Sequence, residues 1–273
     1  MFLITGATGN VGRHLVAELA SAGHKVRALT RDPASARFPT GVEVAATQDF
    51  PLDGVSAVFV NPSVFWGGFG DLLDRCREHG VRRVVMLSSS SAEHAGPGNP
   101  IGEFHLAKER EIEASGLEWA FPRPGAFAAN AANWAGQIRD GGVVSGPFAD
   151  AETAPIHERD IAAVSAAMLT RDDLVGTRPV LSGPESLTFA DQARLIGEAI
   201  GRDVRYEELS PEDARAAMLG GGHMTPQIAD SLLDMWEQCV GRPAEISPEV
   251  ERVTGRPARS FAEWAADNAG HFA

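Results

Sequence analysis

The chain has 273 residues, 44% of them hydrophobic, with 29 glycines, 17 prolines and a formal net charge of −13. That length suits one large α/β domain, or one domain with a smaller lobe, and needs no disulfide or metal staple. The negative charge repels phosphate backbones and anionic membranes, so nucleic acid is a poor partner, and no apolar run reaches membrane-spanning length.

The first half alternates short apolar runs with helical patterns. MFLIT (1–5) predicts a strand and turns directly into a glycine loop, with neither a basic stretch nor a cleavage site of the kind a signal peptide carries. Val11, Leu15, Val16 and Leu19 recur at helical spacing over 11–22. KVRAL (25–29), VEVAA (42–46), SAVFV (56–60), RVVML (83–87) and LEWAF (117–121) predict five further strands. Helices are expected at 69–79, 102–115 and 126–138. Strands separated by helices imply an α/β fold with a parallel, doubly wound Rossmann sheet. Only residues 46 to 55 join the third strand to the fourth, near the lower limit for a crossover, so a very short helix or none is expected there.

After residue 150 the pattern changes. Asp160 can cap a helix over 161–170, and RPVLSG (178–183) returns one more strand to the sheet. Helices are expected at 188–200, 211–219, 226–239 and 260–268, with GGGHMT (220–225) as a mobile loop. The chain thus divides into a Rossmann domain, 1–182, and a smaller, mainly helical lobe, 183–273. Cys76 and Cys239 match no metal or redox spacing. Cys76 falls in a helical pattern as a packed thiol, and a reducing, cytoplasmic setting is the simplest inference. No His/Cys cluster has metal-ligand spacing, so no metal is expected.

The loop ITGATGNVGRHLV spaces Gly6, Gly9 and Gly12 as G-x-x-G-x-x-G between the first strand and the first helix. The first glycine permits a tight turn, the middle one lets backbone approach a pyrophosphate, and the last lets helix and strand pack closely. The helix N-terminus offers free N–H groups and a positive dipole end to the anion. A dinucleotide site follows. The end of the second strand selects the cofactor. An acidic residue there would bind a ribose; this chain has Thr30 and Arg31, and an arginine fork suits a 2′-phosphate. Arg13 could join it, and Asp32 could partly neutralise it. Each charge-assisted bond contributes about 1.5–3 kcal/mol, which favours NADP(H).

With these residues in place, the chain resembles the NmrA-like group of atypical short-chain dehydrogenases. GATGNVGRHLV, GHKVRALTRDP, GVRRVVMLSSSSA, KEREIEASGLEWAFPRPGAFAAN and RDIAAV are similar to that family's segments, in order, over nearly the whole length. The resemblance implies a Rossmann core, NADP(H), and a small C-terminal lobe over a substrate cleft. It also implies that some members reduce quinones or other conjugated substrates, while others sense the cofactor and do no chemistry. By position it implies that Thr8, Gly9, Asn10 and Val11 meet the pyrophosphate and Arg31 the 2′-phosphate. Asp49 and Phe50 would flank the adenine, Asn61 and Pro62 the central riboses, and Ser88 and Lys108 the nicotinamide ribose. TQDF (47–50) departs from the family, which usually has a glycine before the Asp.

The wider superfamily uses a Tyr-x-x-x-Lys pair, in which the Tyr moves the proton. EFHLAK places Phe104 where that Tyr would stand before Lys108, and the chain's one tyrosine is Tyr206. Phe cannot donate a proton. Candidate proton sources are Ser88, Ser89 or Ser90 of LSSSSA, His105, His94, water and Lys108 itself, with Lys108 the first choice and Ser90 the serine assigned beside it. His105 reads as solvated, and His94 and His157 as residues of polar loops. Phe65, Trp66, Phe69, Phe127 and Trp134 would border the nicotinamide as a flat, apolar cavity, with Gly67 and Gly68 freeing the first loop to move. For Phe127 and Trp134 the plainer reading, residues simply packed between the lobes, is the preferred one.

The expected function is an NADPH-dependent oxidoreductase passing hydride to a small, aromatic or quinone-like substrate. The alternative is a non-catalytic NADP(H) sensor that docks a protein partner; a lyase or isomerase has no specific feature in its favour, and the oligomeric state is open. Arg31→Ala should weaken NADPH binding by one to two orders of magnitude and leave NADH binding nearly unchanged, as measured by calorimetry; equal losses for both would refute the assignment.

Overall fold

The computed structural model describes residues 1–65, 68–221 and 224–273. Six parallel strands form the central sheet: β1 (Phe2–Ile4), β2 (Val26–Thr30), β3 (Glu43–Ala46), β4 (Ala57–Val60), β5 (Arg83–Met86) and β6 (Glu118–Ala120). Their order is β3-β2-β1-β4-β5-β6, with Leu3 opposite Arg27 on one side and Val58 on the other. Every residue of β4 and β5 is buried, as strands covered on both faces must be. One face packs on α1 (Gly12–Ser21) and α5 (Glu158–Thr170), through Leu15, Val16, Ile161 and Met168. The other packs on α2 (Leu72–Glu78) and α3 (Pro100–Ala114), through Leu72, Cys76 and Ile112. The expected doubly wound sheet is therefore present. Cys76 is a packed thiol as expected, and burial pushes it up to about 11.

No helix forms between β3 and β4. Asp49 N–H closes a turn onto Ala46 O, and Phe50 takes a positive φ of 38° that carries its ring into the core. RPVLSG does form a strand, β10 (Val180–Leu181), but it pairs with β7 (Arg123–Pro124), a continuation of β6 beyond the six-stranded ladder. Residues 126–138 are not one helix. Ala126 and Ala128 bond Ile156 in extended pairing, which displaces the helix start; 3₁₀ turns over Ala128–Trp134 precede α4 (Ala135–Gly141). Asp160 is not the cap of α5. His157 takes that position, accepting from Arg159 N–H, while buried Asp160 is held by the Arg259 side chain and N–H.

Around these lie β8 (Val143–Gly146), β9 (Glu152–Thr153), β11 (Leu187–Thr188), α6 (Phe189–Ile200) and β12 (Arg205–Glu208). They are followed by α7 (Pro211–Gly220), α8 (Pro226–Gln238), α9 (Glu249–Thr254) and α10 (Phe261–Asp267). β7, β8, β9, β11, β12 and α9 carried no sequence signal strong enough to anticipate. Capping boxes open α6 (Thr188 with Asp191) and α10 (Ser260 with Glu263), satisfying N–H groups that would otherwise be unpaired. A third core joins Ile138 and Val144 to Ile196, Val204, Phe261 and Trp264, so residues on both sides of 183 share it. The centre of the expected mobile loop, at 222–223, lies outside the described residues.

The glycine turn fixes where α1 begins. Gly6 has φ +59°, and a Cβ on Gly12 would lie 2.2 Å from the Gly6 carbonyl oxygen and 2.8 Å from the Ala7 Cα. Both obstacles are backbone, so the roughly 1 kcal/mol that Ala gains over Gly inside a helix does not win. Gly12→Ala should destabilise the protein by about 1–3 kcal/mol, read as a lower urea midpoint at constant slope, and abolish NADPH binding.

Candidate active site

A cavity of about 440 Å³ opens where β1, β4 and β5 end. The strand order reverses between β1 and β4, and such reversals leave a crevice at the carboxyl edge of an open α/β sheet. Asn10 and Val11 of the glycine turn line it, with Asn61 and Pro62 after β4 and Ser88 and Ser89 after β5. Phe104 and His105 of α3, Phe127, and Ile228 of α8 form the rest of the wall.

The glycine turn and the end of β2 form one side of the site. No side chain caps α1; the Arg13 and His14 N–H groups bond the carbonyls of Gly9 and Val11, which leaves the Gly12 N–H at the helix start for an anion. Gly6, Gly9 and Gly12 close the turn, and Gly9 N–H bonds Gly6 O at 2.9 Å. Thr8 is exposed beside them. Arg31 is exposed at the end of β2. Asp32 does not neutralise it: that carboxylate accepts from the N–H groups of Ala34 and Ser35, at 3.1 and 3.3 Å. An uncapped helix start, a turn too tight for a Cβ and an uncommitted guanidinium fit a phosphorylated dinucleotide. Arg13 does not join Arg31. Its guanidinium lies 3.5 Å from Glu158 and donates to His14 Nε2 at 3.2 Å. Burial, then the Arg13 charge, pull His14 down to about 4, which leaves its ring neutral and able to accept. Asp49, expected to flank the adenine, is exposed, but Phe50 offers no ring beside it; it is buried edge-on against Phe65, centroids 6.0 Å apart.

Below the cavity lies a buried ion pair. Glu109, 0% exposed, accepts from Arg123 Nε at 2.9 Å and from Arg123 Nη2. The same carboxylate accepts the Ser88 hydroxyl, and Glu109 in turn raises the Arg123 pKa further. Every oxygen of the carboxylate is thus satisfied, the condition under which a buried pair is tolerated. Because the Ser88 proton is committed to Glu109, Ser88 presents only lone pairs to the cavity, which suits a ribose hydroxyl and does not suit proton donation. Asn61 is similarly fixed: its N–H bonds Thr5 Oγ1 at 2.7 Å and its Oδ1 caps Ser63.

Lys108 and Ser90 are off the cavity wall. The Lys108 ammonium lies 3.3 Å from Glu111 and 5.1 Å from the Phe69 ring centroid, and Glu111 also accepts the Phe69 N–H at 3.0 Å. Ser90 Oγ lies behind Gly125, near where that residue's Cβ would be. Phe65 and Phe69 are core residues packed on each other at 5.6 Å, not cavity residues. Trp134 packs against Phe189 and Tyr206 in the third core, while Phe127 does reach the cavity. Trp66 and Gly67 lie outside the described residues. His157, expected in a polar loop, is buried against Asp267 and Glu158.

His105 was the largest miss among the side chains. Ile101, Phe104, His105 and Lys108 follow the i, i+3, i+4, i+7 spacing of one helix face, and that spacing was the available signal for placing His105 beside Phe104. Ile228 had none, because its position depends on how α8 docks against α3. Among the described residues no cluster of His, Cys, Asp and Glu could hold a metal, and no helix is long and apolar enough to cross a membrane.

Residues 6–172 match the family model described as NAD(P)H-binding. The chain is 37% identical to a (4-alkanoyl-5-oxo-2,5-dihydrofuran-3-yl)methyl phosphate reductase of Streptomyces griseus subsp. griseus, over 100% of this chain and 99% of the relative. It is 33% identical to an NAD(P)H azoreductase of Xenophilus azovorans, again over 100% and 99%. Among solved structures it is similar to the NADPH-dependent quinone oxidoreductase of Escherichia coli in complex with NADPH, with a TM-score of 0.79 at 23% identity over 98% of this chain and 99% of that one. The chain belongs to this NAD(P)H-binding family, and its segments resemble the NmrA-like, atypical short-chain dehydrogenase type.

Glu109→Ala leaves Arg123 charged and buried without its bidentate partner, with only Glu93 at 3.7 Å. It should destabilise the protein by roughly 3–5 kcal/mol, measured by urea denaturation; a loss under about 1 kcal/mol would show that the pair does not hold the cavity floor.

Proposed function

We propose that the protein is an NADPH-dependent reductase of a small, flat, conjugated acceptor of aromatic or quinone type. The observation that carries this reading is that one cavity holds both parts: the glycine turn at one end, and Phe104, Phe127 and Ile228 as an apolar wall at the other. The names of the relatives support it, since a dihydrofuranone phosphate, azo compounds and quinones are all reducible conjugated systems. NADPH bound there supplies hydride.

The chain's own residues bind and orient. The α1 N-terminus and Arg31 hold the phosphates, Asn61 and Ser88 face the riboses, and the aromatic wall excludes water from the reacting face. The reaction runs without the Tyr of the superfamily's Tyr–Lys pair. Phe104 stands in that place, and Tyr206 is committed to Pro147 O at 2.9 Å in the lobe. A quinone suits such a site, because hydride converts it to a delocalised monoanion that takes its second proton from water. Lys108 and Ser90 act in this reading by position: Lys108, with Glu111, ties α3 to the backbone at Phe69. Residues 1–182 hold the cofactor and the lobe at 183–273 faces the acceptor through Ile228. Two free thiols support a reducing, cytoplasmic setting.

Mixing the protein with NADPH and a panel of quinones, enones and azo dyes should give acceptor-dependent loss of the dihydronicotinamide absorbance. Tight NADPH binding with no turnover on any acceptor would overturn the reductase and leave the sensor.

A further inference from the structure

We propose that His105 is a catalytic residue, donating a hydrogen bond from Nε2 to the acceptor oxygen as negative charge gathers on it. The proposal rests on the reductase reading above and adds the group that meets the acceptor.

His105 lies on the cavity wall beside Phe104, the two rings perpendicular with centroids 5.3 Å apart. Nδ1 is buried and has no hydrogen-bond partner. No structural role uses the ring's polar atoms, and a buried polar atom without a partner is costly enough to need a reason. Nδ1 also decides the tautomer. A buried N–H with no acceptor is worse than a buried lone pair, so the ring proton resides on Nε2, the nitrogen that is not enclosed. Burial pulls the imidazole down to about 4 against the opposing charge of Glu109, so at neutral pH the ring is uncharged. A neutral imidazole gives up its remaining proton too reluctantly to act as an acid, but it polarises a carbonyl as a fixed donor.

Of the other polar groups on the wall, Asn10 belongs to the glycine turn, at the end opposite the aromatic residues. The Ser88 proton goes to Glu109, and Asn61 Oδ1 is held by Ser63. Ser89 Oγ accepts from Ser91 N–H at 3.2 Å and is the one competing hydroxyl. His105 makes and breaks no covalent bond. The acceptor gains two electrons and one proton as hydride, a quinone becomes the quinol monoanion, and water supplies the final proton. What the imidazole contributes is a preorganised donor aimed where charge develops.

The test uses His105→Leu and His105→Gln, the latter keeping an N–H donor near Nε2. Three quantities are read: kcat/KM with 1,4-naphthoquinone, calorimetric affinity for NADPH, and affinity of the NADP⁺-bound protein for 2-hydroxy-1,4-naphthoquinone, whose anion at neutral pH imitates the reduced acceptor. His105→Leu should lower kcat/KM about 10- to 100-fold and weaken the anion by a similar factor, with NADPH affinity within about twofold of wild type. His105→Gln should restore most of both losses. Full activity and anion affinity in the Leu variant would overturn the proposal. So would failure of Gln to rescue, an equal loss of NADPH affinity, or a Ser89→Ala loss as large as that of Leu. If Leu does not fold, His105→Phe, which keeps a ring, takes its place. Wild-type protein inert toward every acceptor defeats the reductase reading, whereas the anion-binding arm still reports on His105 by itself.

Discussion

The cavity depends on one buried carboxylate. Glu109 lies in the middle of α3, and the three groups bonded to it or bearing on it come from the end of β5 (Ser88), from β7 (Arg123) and from beyond β7 (Arg178 at 3.7 Å). A helix rotated by one residue, about 100°, would bury a different side chain and leave Arg123 with only Glu93, 3.7 Å away. The pair therefore fixes the rotation of α3, and with it which of its side chains reach the cleft. Phe104 and His105 face the cavity while Lys108, one turn on, meets Glu111 and Phe69. The same bond fixes the Ser88 hydroxyl as an acceptor.

That dependence explains what could be read from the sequence and what could not. The strands, the glycine turn and Arg31 follow from local rules: apolar alternation, the steric freedom of glycine, and the identity of the residue closing β2. The family likeness rests on the same segments. Phe65 and Phe69 were assigned to the cleft because aromatic residues beside glycines look like a binding loop. The core under β3, left uncovered by any helix between 46 and 55, claims them together with Phe50. Trp134 was drawn off in the same way by Phe189 and Tyr206. In each case a non-local core outbid a local pattern, as packing generally does over propensity.

Charge is handled consistently around the site. The ionised groups that are buried are paired, as Glu109 with Arg123 and Asp160 with Arg259. Those without a strong partner are held neutral: burial lowers both His14 and His105 to about 4. An uncharged wall beside Phe104 and Phe127 and an exposed arginine at the end of β2 give the cleft a polarity, one side suited to an anion and the other to an apolar ring.

The two thiols sit in opposite circumstances. Cys76 is sealed between α2 and the sheet, with its proton held well above the ordinary thiol range. Cys239 is half-buried at the end of α8, the helix whose other end brings Ile228 to the cleft. The molecule thus carries a single reachable attachment point on a lever whose opposite tip touches the ligand space. A fluorophore fixed there would follow movement of the lever against the sheet while leaving the cleft's own chemistry untouched.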